Sequence, residues 1–200
     1  MSYDIKLVDP VTEETLHLPF DHVMTGGTFA GTFDPVTGEV RPRPIPEAWL
    51  NVTYNYARYY YDAAEGDDRF LVRNKQDPEH PTEENGGIRG LYGKTGAESI
   101  GMLEDMIQRI EAKYRKNGEW IITDRNRERY FQYDGTPIHQ SDVIELIIKN
   151  VPFKTEKYVE KISEGPNSNY WEATAANAIR PLHMLIAMAR LRPDGVWSGD

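Results

Sequence analysis

The chain has 200 residues, with 32 acidic against 23 basic side chains and a formal charge of −9. That length buries a core without crosslinks, and the absence of cysteine excludes disulfides, thiolate metal sites and cysteine nucleophiles. No basic-plus-apolar leader and no membrane-length apolar run is read, so a cytoplasmic protein with no membrane partner is expected.

The charge is uneven: 62–84 carries a net −5 and 109–129 a net +3. The overall acidity disfavours a uniform grip on nucleic acid.

In chain order, "YDIKLVDPVTEETLHL" (3–18) alternates apolar and polar residues around an Asp-Pro turn and predicts a hairpin. "DPVTGE" at 34–39 predicts a second. After the proline-rich "RPRPIP" connector, the tyrosine-rich 47–64 places Trp49, Thr53, Tyr56 and Tyr60 at helical spacing, so one helix is expected, its tyrosines partly at the surface. "FLVRN" predicts a short strand inside an acidic loop. Thr95 and Glu98 have capping-box spacing, and Ile100, Leu103, Ile107, Ile110 and Tyr114 then step along one helical face. Asp105 with Arg109 and Glu111 with Arg115 are expected to pair on the wet side, and Asn117-Gly118 to end the helix.

"EWIITDRNRERYFQYDG" predicts another hairpin, closed by Asp134-Gly135. Ser141 then caps "DVIELIIKN", a helix apolar nearly all round and expected to be buried, with Pro152 as its stop. The charged stretch Lys154 to Ser163 reads as a further helix. Thr174 starts the last one, through Ala178, Leu182, Leu185, Ile186 and Ala189, with Pro181 expected to kink it or split it in two. The tail "RPDGVWSGD" is a turn with Trp197 free to fold back.

"GGIRGLYGKTGAESIG" (86–101) looks like a phosphate loop, but Ile88 occupies the position where a Walker sequence needs glycine. The stretch reads instead as a loop feeding a capped helix. Free amides at that helix start, with Arg89, Gly93, Lys94 and Thr95, form the candidate site for a small anion or nucleotide. His17, His22, His80, His139 and His183 make no HExxH or HxxxH pattern, and no GxSxG elbow occurs. His80 among Asp77, Glu79, Glu83 and Glu84 is at most a loose cation site. Arg125, Arg127 and Arg129 alternate along the aromatic "WIITDRNRERYFQY", interleaved with Asp124 and Glu128. With Tyr54, Tyr59 and Tyr61 they are the candidate partner-binding residues.

"YDIKLVDPVTEETLHL", "AWLNVTYNY", "LYGKTGAES", "YWEATAANA" and "RPDGVWSGD" together resemble a family of small uncharacterised bacterial and phage-associated proteins. The resemblance covers about half the chain and brings no activity or site residues. It implies that 118–165 is an insertion into a main domain of 1–117 and 166–200, and a setting in mobile elements.

The expectation is an α+β fold: N-terminal β-hairpins, about three main helices and an inserted hairpin-helix subdomain. Without a coherent catalytic set or cofactor, the expected function is non-catalytic protein binding, as an accessory or counter-defence inhibitor of a phage or mobile element with a host or phage protein partner. Sequestration of a small anionic ligand or nucleotide is the alternative, and a metal-dependent hydrolase assembled from distant histidines and acids a third.

Overall fold

The computed structural model describes residues 2–22, 31–33, 36–37, 40–42, 44–73 and 83–200, and the fold is α+β. The chain divides into two compact units, Met1–Glu119 with Gly165–Asp200, and Trp120–Glu164.

The larger unit is organised by β1 (Ser2–Val8). The turn that follows has the expected chemistry: the Asp9 carboxylate accepts from the Val11 and Thr12 amides at 2.8 and 3.0 Å, and Leu16 N–H returns to Leu7 C=O at 2.9 Å. The hairpin goes no further. β2 (His17–His22) leaves β1 to pair with β5 (Ile45–Glu47), while β3 (Gly31–Phe33) pairs with β4 (Val40–Pro42). The text of the second turn lies partly outside the described residues.

The predicted helix over 47–64 is corrected. Its first part is a strand, β6 (Trp49–Thr53), which passes through a single 3-10 turn into α1 (Ala57–Ala64). β6 runs antiparallel to β1 with Ile5 opposite Leu50 and Tyr3 opposite Val52. Leu50 and Val52 are buried and Asn51 between them is half-exposed, so period two governs where the tyrosine spacing gave 3.6. β7 (Leu71–Arg73) pairs with β8 (Glu83–Asn85).

Next comes α2 (Gly96–Tyr114) with both halves of its capping box formed. Its buried face is wider than the stripe read from sequence, taking in Ser99, Met102 and Met106. Of the two predicted surface pairs, Glu111–Arg115 forms at 2.6 Å. Asp105 instead receives Arg69 at 2.7 Å, and Arg109 binds Asp67 at 2.8 Å. Asn117 and Gly118, at φ 53° and 85°, do not cap the helix; they turn the chain between β9 (Arg115–Lys116) and β10 (Glu119–Trp120), the use that Asn-Gly has in a two-residue hairpin.

In the smaller unit β11 (Ile122–Phe131) turns at Asp134-Gly135 into the short β12 (Pro137–Ile138). α3 (Gln140–Ile148) follows. The predicted helix over 154–163 is in fact strand β13 (Lys154–Ser163), paired antiparallel with β11 over its whole length. Tyr158, Glu160 and Ile162 alternate as its half-buried positions, a period that charge content hides. α3 is not the buried helix that its composition predicts: among its described side chains only Val143 is buried, and Ile144, Ile147 and Ile148 face solvent. The Ser141 side chain lies outside the described residues.

Back in the larger unit, α4 (Ala175–Leu191) runs unbroken through Pro181, so the two-helix expectation fails, and it packs on α2. β14 (Val196–Gly199) completes the order β14-β1-β6. Leu7 lies opposite Trp197, so Tyr3, Ile5, Leu7, Leu50, Val52 and Trp197 form one buried face. The Trp197 indole N–H donates to Ser99 of α2 at 2.7 Å, satisfying its buried polar atom.

Candidate functional site

The segment 165–174, "GPNSNYWEAT", has no regular secondary structure but is held at nearly every residue. Asparagines supply local acceptors for their own chain: the Asn169 amide donates to Asn167 Oδ1 at 2.9 Å and the Trp171 amide to Asn169 Oδ1 at 3.2 Å. Asn177, wholly buried in the first turn of α4, ties the loop from below. Its Oδ1 accepts from the Asn167 amide at 3.1 Å, and its Nδ2 donates to the Asn169 and Glu172 carbonyls, each at 3.2 Å. Thr174 caps the helix through the Asn177 amide.

A second set of anchors comes from the tyrosine-rich stretch. The hydroxyl of Tyr56 donates to the carbonyl of Tyr170; those of Tyr59 and Tyr60 donate to the carbonyls of Ala173 and Ala178 at 2.6 and 2.9 Å. Asn55 Nδ2 reaches the Trp171 carbonyl at 2.8 Å. Positions 56, 59 and 60 share one helical face, so three rings enter the core and deliver three donors to one short run of backbone. Burial pushes the Tyr56 and Tyr60 phenols above their ordinary pKa, which keeps them neutral donors.

With its carbonyls held, this loop presents Trp171 to solvent with the half-buried Tyr170 beside it. Their ring centroids are 4.5 Å apart, and Trp171 is 58% exposed. The exposed Arg58 is linked to the same loop through Tyr59: its guanidinium donates to the Tyr59 hydroxyl at 2.6 Å, and that hydroxyl in turn bonds Ala173. An exposed tryptophan, a tyrosine and an arginine on a fixed backbone have the composition of a binding hot spot and lose little freedom when a partner arrives.

The residues expected to meet a partner are placed differently. Tyr59 is wholly buried, so it supports the surface without belonging to it. Tyr54 is half-buried, edge-on to Tyr3 at 4.2 Å, and accepts from Arg89; Tyr61 is exposed. Arg125, Arg127 and Arg129 lie in the smaller unit, on one face of β11, and each has a neighbour within it. Arg125 reaches the buried Glu164 at 3.2 Å, Arg127 meets Glu160 at 2.9 Å, and Arg129 lies over the Tyr158 ring at 4.1 Å.

The glycine-rich loop is filled from within. The Gly96 and Ala97 amides donate to the Gly195 and Pro193 carbonyls at 2.8 and 3.1 Å, and the Glu98 amide to Thr95 Oγ1 at 3.2 Å. Gly93 N–H bonds Trp197 C=O, and Trp197 N–H bonds Lys94 C=O, each at 2.9 Å. Arg89 Nε donates to the Asp200 carbonyl at 3.0 Å. The free amides expected at this helix start are therefore taken by the tail, and the Glu98 carboxylate stands in the same turn, kept ionised by the Thr95 amide. The glycine at 96 answers to close approach: a Cβ there would lie 2.5 Å from the Arg192 carbonyl.

Among the described residues no three His, Asp or Glu side chains converge as a metal would need; His80, Asp77 and Glu79 lie outside them, and Glu83 and Glu84 are exposed on β8. No protein-family profile, curated protein or solved structure matches the chain. The Tyr170–Trp171 surface was not legible in the sequence because the anchors from Asn55, Tyr56 and Tyr59 are remote. The available signal was the pairing of "NSNYW" with a following Thr-x-x-Asn cap.

Proposed function

We propose that the protein acts without catalysis, by binding another protein through Trp171, Tyr170 and Arg58. The observation that carries this reading is an exposed tryptophan whose backbone is held by Asn55 and Asn169, in a loop tied down by the buried Tyr59 and Asn177. Recognition gains affinity from such rigidity, because less freedom is lost on binding. The partner that fits offers an apolar pocket for the indole and an acidic rim for Arg58. The phage or mobile-element setting, with an accessory or counter-defence role against a host or phage protein, rests on the sequence resemblance alone. Capture from bacterial lysate tests the reading. The wild-type chain is expected to retain a stoichiometric protein partner that Trp171→Ala, equally folded, does not retain; equal retention by both, or no partner at all, overturns it.

A further inference from the structure

The smaller unit is short of a core. Among its described side chains Val143 is the only buried apolar one, and a three-stranded sheet whose edge strand β12 is two residues long, with one nine-residue helix, is marginal unless an apolar face is covered. That face is on α3. Ile144, Ile147 and Ile148 are 66, 62 and 77% exposed. Val151, 43% exposed, follows a Schellman turn in which its amide reaches Leu146 C=O at 2.9 Å while Asn150 takes φ 52°. Contiguous apolar surface of this kind marks a docking site.

We propose that a second copy of this chain covers it, with α3 packed antiparallel on its own equivalent about a two-fold axis. The stripe reads the same in both directions: about a centre between 147 and 148, Ile144 meets Val151 and Ile147 meets Ile148, as an isologous contact requires. The flank agrees. Glu145 and Lys149 lie one turn apart on one side and pair within the chain at 2.5 Å; in the antiparallel arrangement Glu145 stands beside Lys149 of the second copy, twice over. The other route to self-association, through the outer edge of β13, is blocked by charge. The two-fold registers centred on Tyr158 and Val159 set Glu156 against Glu160 and Lys157 against Lys161, like charges directly opposed.

Sedimentation equilibrium on the full chain tests this. The wild type is expected to be a reversible dimer dissociating in roughly the micromolar range, as befits a small interface, and Ile147→Glu to be monomeric. Glu145→Lys and Lys149→Glu should each weaken the dimer about tenfold or more through two like-charge contacts. Their equimolar mixture should recover near wild-type affinity, because the mixed pair restores both contacts although neither chain keeps its own internal pair. A monomeric wild type, a dimer indifferent to Ile147→Glu, or a mixture no tighter than its components overturns the proposal.

Discussion

Asn177→Ala removes the side chain that ties the Trp171 loop to α4. Three hydrogen bonds go with it, leaving the Asn167 amide and the Asn169 and Glu172 carbonyls to find other partners. At about 0.5–1.5 kcal/mol net for each bond, the loss is about 2–4 kcal/mol. For a chain of this length that lowers the melting temperature by roughly 5–12 °C. Asn177→Asp is the sharper probe: it keeps the acceptor for the Asn167 amide but turns a second oxygen, charged and buried, toward two carbonyls, so it should cost more than alanine. Thermal and urea unfolding measure both variants, and hydrogen exchange should show faster exchange at the Asn167 amide. Melting of both variants within about 2 °C of wild type would refute the view that Asn177 fixes this loop.

Gly90→Ala should destabilise by about 2–3 kcal/mol in urea unfolding, because the new Cβ would lie 2.5 Å from the Phe70 Cα and neither backbone can yield cheaply; a wild-type midpoint contradicts this. Hydrogen bonds from Arg69 hold the Asp67 carboxyl down at about 2. A carboxyl depressed on folding stabilises above its unfolded value and loses that contribution as pH falls through the folded one. Stability should therefore decline from about pH 4 toward pH 2, and Asp67→Asn should flatten that decline; identical acid profiles for the two proteins count against it.

Local chemistry was legible where it decides the structure by itself. The Thr95–Glu98 cap, the Asp9 turn and the Asp134-Gly135 turn form as their residues dictate. Where two periods coexist, the partner decides: "WLNVT" becomes a strand because β1 lies beside it, and "KTEKYVEKIS" because β11 does. The exposure of α3 was illegible for a related reason, since a composition apolar on every side says nothing of how much surface the rest of its unit can cover. The surroundings of the candidate partner-binding residues were not legible either. Of the tyrosines read as surface contacts, Tyr59 is a buried strut together with Tyr56 and Tyr60, while Tyr54 is half-buried and Tyr61 exposed, and Trp171, in the loop that the struts hold, lies more than a hundred positions away.

The central claim is that Trp171 makes the contact and its struts only hold it in place. The direct measurement is a calorimetric titration of the captured partner with wild type, Trp171→Phe and Trp171→Ala. A buried aromatic anchor predicts a loss of at least about 2 kcal/mol, near thirtyfold, for alanine, and a smaller loss for phenylalanine, with melting temperatures unchanged because the indole is exposed. Affinity unchanged by Trp171→Ala would contradict the account.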